Sequence, residues 1–158
     1  MALLLLMRLL HILSGIFWAG TMMFNTAFLF PALKDTGPDG AKVGMALTKR
    51  RFPVITPIVA LVTILSGLWL FWRTSGGFQE SFMQSHMAKT LSFGAACAIV
   101  AFIIGVIVVR PAMVQAMALA QSNPQRAQLL RVRADRVGRV VTGLVVLAAA
   151  AMAVARYV

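Results

Sequence analysis

Four apolar runs, at about 2–33, 53–72, 87–109 and 140–158, constrain this chain more than any other feature. Each approaches or exceeds the ~20 helical residues needed to cross a ~30 Å hydrocarbon core. With 60% hydrophobic residues and a mean hydropathy of +0.87, 158 residues carry more apolar surface than a soluble core of that size could bury. The expected fold is therefore all-α, an integral membrane four-helix bundle forming one membrane domain over residues 1–158.

The first run is not read as a removable signal peptide. It has no basic residue before its apolar core, Arg8 and His11 interrupt it, and it continues past Gly20 to Phe30. Cys97 is the one cysteine, so an intrachain disulfide and a thiolate metal cluster are both excluded.

The net charge of +11 would suit nucleic acid, but its distribution argues otherwise. Eleven of the fifteen basic residues fall in two stretches: Lys34, Lys42, Lys49, Arg50 and Arg51, then Arg110, Arg126, Arg131, Arg133, Arg136 and Arg139. With four spans these stretches share one side, and the positive-inside rule makes that side cytoplasmic, with both termini on the outer (periplasmic) side of a bacterial inner membrane. Their expected partners are anionic lipid headgroups; no aromatic interleaving supports nucleic-acid binding.

Turn chemistry at Asp35-Thr36-Gly37-Pro38-Asp39-Gly40 follows a first helix expected to end near Phe30-Pro31. A short amphipathic piece, Ala41 to Arg51, leads to the second span. That span starts at Pro53, meets a kink candidate at Pro57 and closes on Trp69, Trp72 and Arg73, an interfacial pattern. Ser75 is a candidate N-cap for a third helix beginning near Gly77. His86 would then lie roughly 14 Å along that helix, at a depth similar to that of His11. The third helix is expected to run on from Ala112 to Gln121, with a turn at Asn123-Pro124 and an Arg-rich approach to the fourth span.

Two histidines within apolar helices are the candidate site. His11, Gly15 and Trp18 fall at i, i+4 and i+7, so one helical face offers a ligand, a gap and a flat wall. His86, Thr90 and Phe93 or Gly94 repeat the pattern. A lone membrane histidine is often satisfied by a neighbouring hydroxyl or carbonyl, but two at matched depth can take both axial positions of a haem b iron. Arg8, Arg73 and Lys89 are the cations available to haem propionates. The competing metal is copper, because Met7, Met83 and Met87 flank the histidines and thioethers with imidazole suit Cu(I); methionine is also a routine packing residue.

Asn25, Thr26, Thr63 and Ser66 are explained by interhelical hydrogen bonding. Asp35, Asp39, Glu80 and Asp135 all lie in loops or at span ends, so hydrolysis and carboxylate proton relays have little support. The functional reading is electron transfer, alone, as a homo-oligomer or as a small subunit of a larger membrane redox complex. A cofactor-free accessory subunit is the alternative from a different class.

The chain resembles the four-helix membrane superfamily that includes the HemJ-type protoporphyrinogen oxidases and the CopD-type copper-resistance membrane domains. The resemblance is carried by Leu10-His11, Gly15, Trp18 and Gly20, then Lys49-Arg50-Arg51-Phe52 with Ile55-Thr56-Pro57, then Gly67-Leu68, and by the segment from His86 to Lys89. It covers about residues 5 to 110, and the fourth span matches only in hydropathy. The resemblance implies haem b with His11 as a ligand and a basic residue beside the third-span histidine. It also raises an oxidoreductase activity on protoporphyrinogen. The chain departs from the oxidases in having Ser85 where they carry an aromatic residue, Lys89 three positions after His86 where they have His-x-Lys, and no later histidine in that helix.

Overall fold

The computed structural model describes residues 1–158, the side chain of Pro38 excepted. Every regular element among the described residues is helical. Four helices are long and apolar enough to cross a membrane: Ala2–Asp35, Phe52–Thr74, His86–Ala118 and Pro124–Tyr157, here the first to fourth spans. The chain is thus an all-α, multi-pass membrane protein whose environment is a lipid bilayer. Exposed Leu13, Ile16, Phe28, Leu65 and Ile107 give these helices the apolar outer surface that lipid requires.

Three spans outrun their apolar runs at the end that carries the basic segments. The first is 34 residues long, roughly 50 Å at ~1.5 Å per residue, and the third and fourth are 33 and 34. Phe30-Pro31 therefore does not end the first helix, which continues to Asp35, and the Arg-rich stretch before residue 140 is helical from Pro124. Asn123 is its N-cap, its side chain accepting a hydrogen bond from the Arg126 N–H. Hydropathy marks where lipid ends; Ala, Leu, Gln and Arg carry helix propensity past that point. The amphipathic piece is a helix over Pro38–Lys49, set off from the first span by Gly37 at φ 55°.

Prolines shape the first and third spans alike. Each has a five-residue π segment, Asn25–Leu29 and Gly105–Val109, and each is followed two residues later by a proline, Pro31 and Pro111. A helix-interior proline lacks an N–H and crowds the carbonyl four residues back; widening the preceding turn relieves this. Pro57, in the second span, is accommodated without a break in the helix.

The third helix begins nine residues later than the Gly77 start expected from the sequence. Ser75 does not cap it. Ser75 is 1% exposed and ties the preceding turn, donating to the Trp72 carbonyl at 3.0 Å and accepting from the Phe78 N–H at 2.9 Å. That turn passes through positive φ at Gly76, Gly77 and Phe78 and a single helical turn at Glu80–Met83. Ser85 then caps the third span, accepting from the Ala88 N–H at 3.1 Å. His86 is the first residue of that helix, so the matched depth of the two histidines is overturned.

The spans pack as a ring: first against second, second against third, third against fourth, fourth against first. Small residues set the closest approach. At Gly94 an added Cβ would lie 3.2 Å from both the Ala148 carbonyl oxygen and the Ala151 Cβ. The core gathers Trp18, Ala60, Cys97, Ala98, Ala101, Val141, Val145 and Ala148 from all four spans. Between the first and fourth, Thr26 and Thr142 share a hydroxyl hydrogen bond of 2.7 Å.

Candidate functional site

The stripe of the first span read from the sequence does turn inward. Gly15 packs against the second span, where a Cβ in its place would meet the Thr63 methyl at 3.5 Å, and Trp18 is 5% exposed. Thr63 organises the contact. Its hydroxyl donates to Ser14 Oγ at 2.9 Å, and its carbonyl oxygen lies 2.8 Å from His11 Nδ1. Thr63 thereby fills the gap beside Gly15, so no ligand occupies that part of the helical face.

The Thr63 carbonyl fixes the chemistry of His11. A carbonyl only accepts, so Nδ1 carries the proton, and in the neutral tautomer this selects, the lone pair lies on Nε2. This is the hydrogen-bonding arrangement that orients metal-bound imidazoles. His11 reaches the carbonyl because residue 67 is glycine: a Cβ there would come within 2.6 Å of His11 Cε1 and 2.9 Å of Nδ1. The Cε1–Nδ1 edge of the ring occupies the space a side chain at residue 67 would take.

A cavity of about 320 Å³ adjoins the ring, at the lower end of the ~300–1,000 Å³ range of small-molecule sites. His11 and Arg8 enter it from the first span, Gly67 from the second, Met87 and Leu91 from the third, and Met152 from the fourth. Arg8 lies one turn toward the N-terminus from His11, and no ion pair is formed by it among the described residues.

His86 does not line this cavity and is exposed. On the third span Met87, Leu91, Ala95 and Ala98 form the cavity-facing stripe, and one residue of helix is ~100° of rotation. His86 therefore shares its outward face with Thr90 and with Phe93, which is 55% exposed. Lys89 and Arg73 are exposed and lie away from the cavity, as do Met7 and Met83. Trp18 lines a second cavity nearer the basic end.

Among the sequence candidates, His11, Arg8 and Met87 come together. The Thr63 carbonyl, Gly67 and Met152 join them. Spacing of Thr63 and Gly67 at i, i+4 was a usable signal for the second-span face; nothing local marks Met152. No cluster of three His, Cys, Asp or Glu residues able to hold a metal occurs among the described residues, so any metal here would draw on thioethers or on a cofactor's own ligands. The chain matches no protein-family model, no curated protein and no solved structure.

Proposed function

We propose that the chain is a haem b-binding membrane protein that transfers electrons, alone or within a larger redox complex, with His11 as the residue that would hold the haem. The observation that carries this reading is the Nδ1 contact of 2.8 Å to the Thr63 carbonyl, which leaves Nε2 as the nitrogen available for coordination in a histidine that lines a cavity. The residues present fit one histidine ligand. A second from His86 does not fit, because that residue lies off the cavity stripe.

A haem b held there would supply one-electron exchange between two iron oxidation states. The chain's own residues do the rest. Thr63 holds the imidazole in one tautomer, and Gly67 lets the ring lie against the second span. Arg8 offers a cation to a carboxylate, and Leu91 belongs to the apolar wall that would face the ring. The basic segments, by the positive-inside rule, orient both termini outward and rest on anionic lipid of the bacterial inner membrane.

Copper is the second reading, favoured by Met87 and Met152 lining the same cavity as His11. One imidazole and two thioethers form a soft donor set suited to Cu(I).

The test is an absorption spectrum of protein purified in mild detergent after expression with ample haem. A Soret band is expected, lost in His11→Ala and kept in His86→Ala. Absence of the band, or its persistence in His11→Ala, overturns the haem reading. Copper retained by the wild type and lost in a Met87→Leu, Met152→Leu double variant would then establish the alternative.

A further inference from the structure

We propose that the second cavity, toward the basic end of the bundle, is a separate binding site for a single hydroxylated aromatic ring the size of phenol. It does not involve His11. The cavity measures about 150 Å³, a volume that in another protein, when lined by apolar residues, stays dry and takes up benzene.

Its space is made by missing side chains and widened backbone. Gly105 and Gly138 both line it, and a Cβ built at either meets nothing within 4 Å. The π segments of the first and third spans both contribute to its wall, through Asn25 and Gly105. Trp18 and Phe102 provide aromatic faces against which a ring stacks in offset or edge-on geometry.

The unpaired polar feature is Asn25. It lines the cavity, is 4% exposed, and its Oδ1 has no hydrogen-bond partner among the described residues. The nearby hydroxyls are already engaged: Thr26 pairs with Thr142, and Thr142 also contacts the Gly138 carbonyl at 3.0 Å. In a membrane interior no bulk water satisfies such an amide, so an unpaired one selects a ligand that brings its own polar group. A hydroxyl both donates and accepts, and therefore serves the amide in either of its two orientations. Of the other polar residues on the wall, Thr48 and Thr56 bond the Gly44 and Phe52 carbonyls and Arg110 donates from Nε to the Pro53 carbonyl, so one ring with one hydroxyl matches both the volume and the one buried polar atom left unpaired among the described residues.

The experiment uses the full chain in nanodiscs with Trp69→Phe and Trp72→Phe, which leaves Trp18 as the emitter. 4-Bromophenol and bromobenzene are titrated, and quenching of Trp18 by bromine is read after correction for partition into the bilayer. Saturable quenching by both probes is expected, with bromophenol about tenfold tighter, the worth of one buried hydrogen bond. Asn25→Leu should bring the two within about twofold. Gly138→Val, which fills the space, should abolish saturable quenching while the helical circular dichroism is retained. Non-saturable quenching by both probes overturns the proposal, as does a phenol preference that survives Asn25→Leu. If Asn25→Leu fails to fold, Gly138→Val with unchanged quenching refutes the site by itself.

Discussion

Replacing Gly67 by alanine isolates the contact on which the His11 site depends. The new Cβ would stand 2.6 Å from His11 Cε1, whereas carbon atoms settle at ~3.5–4.0 Å, so the ring must retreat by roughly 1 Å. Retreat from the second span stretches the 2.8 Å contact to the Thr63 carbonyl beyond hydrogen-bonding range. Interhelical hydrogen bonds in membranes contribute about 0.6 kcal/mol on average and up to ~1.7. Alanine in place of glycine returns up to ~1 kcal/mol of helix propensity. The two terms nearly cancel, so the thermal unfolding of Gly67→Ala should match that of the wild type.

Ligand binding has no such compensation. Once freed from Thr63, the imidazole loses its fixed tautomer and direction, and loss of an outer-shell partner of this kind lowers metal affinity about 10–100-fold. Haem titration of the apoprotein in detergent, followed by absorbance, reads this directly. Affinity within twofold of wild type, in a variant of unchanged stability, would refute the claim that Gly67 and Thr63 position His11.

Three further outcomes follow from the packing. Gly94→Leu should destabilise the bundle by about 1–3 kcal/mol, measured by unfolding in mixed micelles, because a Cβ already meets Ala148 and Ala151 at 3.2 Å and the larger side chain must part the third and fourth spans. Ser85→Ala should cost about 1 kcal/mol and speed amide exchange at Ala88, since the cap it removes is the one at the start of the third span. In a double-mutant cycle, Thr26→Val and Thr142→Val should show a coupling of about 0.6 kcal/mol; independent effects would mean that their 2.7 Å hydrogen bond contributes nothing to stability.

Proline and glycine explain where local reading of the chain stops. Pro31 looks like a helix end, yet, like Pro111, it is absorbed by a widened turn one step upstream, because the helix around it continues to pack. Ser75 has the chemistry of an N-cap but spends its hydroxyl on the turn at Phe78, leaving Ser85 to cap the helix. That shift of start moves His86 to the first turn, and the depth argument for a histidine pair goes with it.

The sequence by itself determined the four spans, the helical class and the inward face of His11, Gly15 and Trp18, because hydropathy and a period of ~3.6 residues are local properties that lipid enforces on each segment separately. It also carried the interhelical roles of Thr26 and Thr63, but not those expected of Asn25, whose Oδ1 has no partner among the described residues, or of Ser66, which bonds the Val62 and Thr63 carbonyls of its own helix. Only the tertiary structure decided which residues meet. The rotation of the third span about its own axis brings Met87 inward and leaves His86 outside, and residues remote in the chain, Thr63, Gly67 and Met152, complete the surroundings of His11. Helix rotation is set by the contact of Gly94 with Ala148 and Ala151, a fit of shapes between segments more than fifty residues apart that no local pattern encodes.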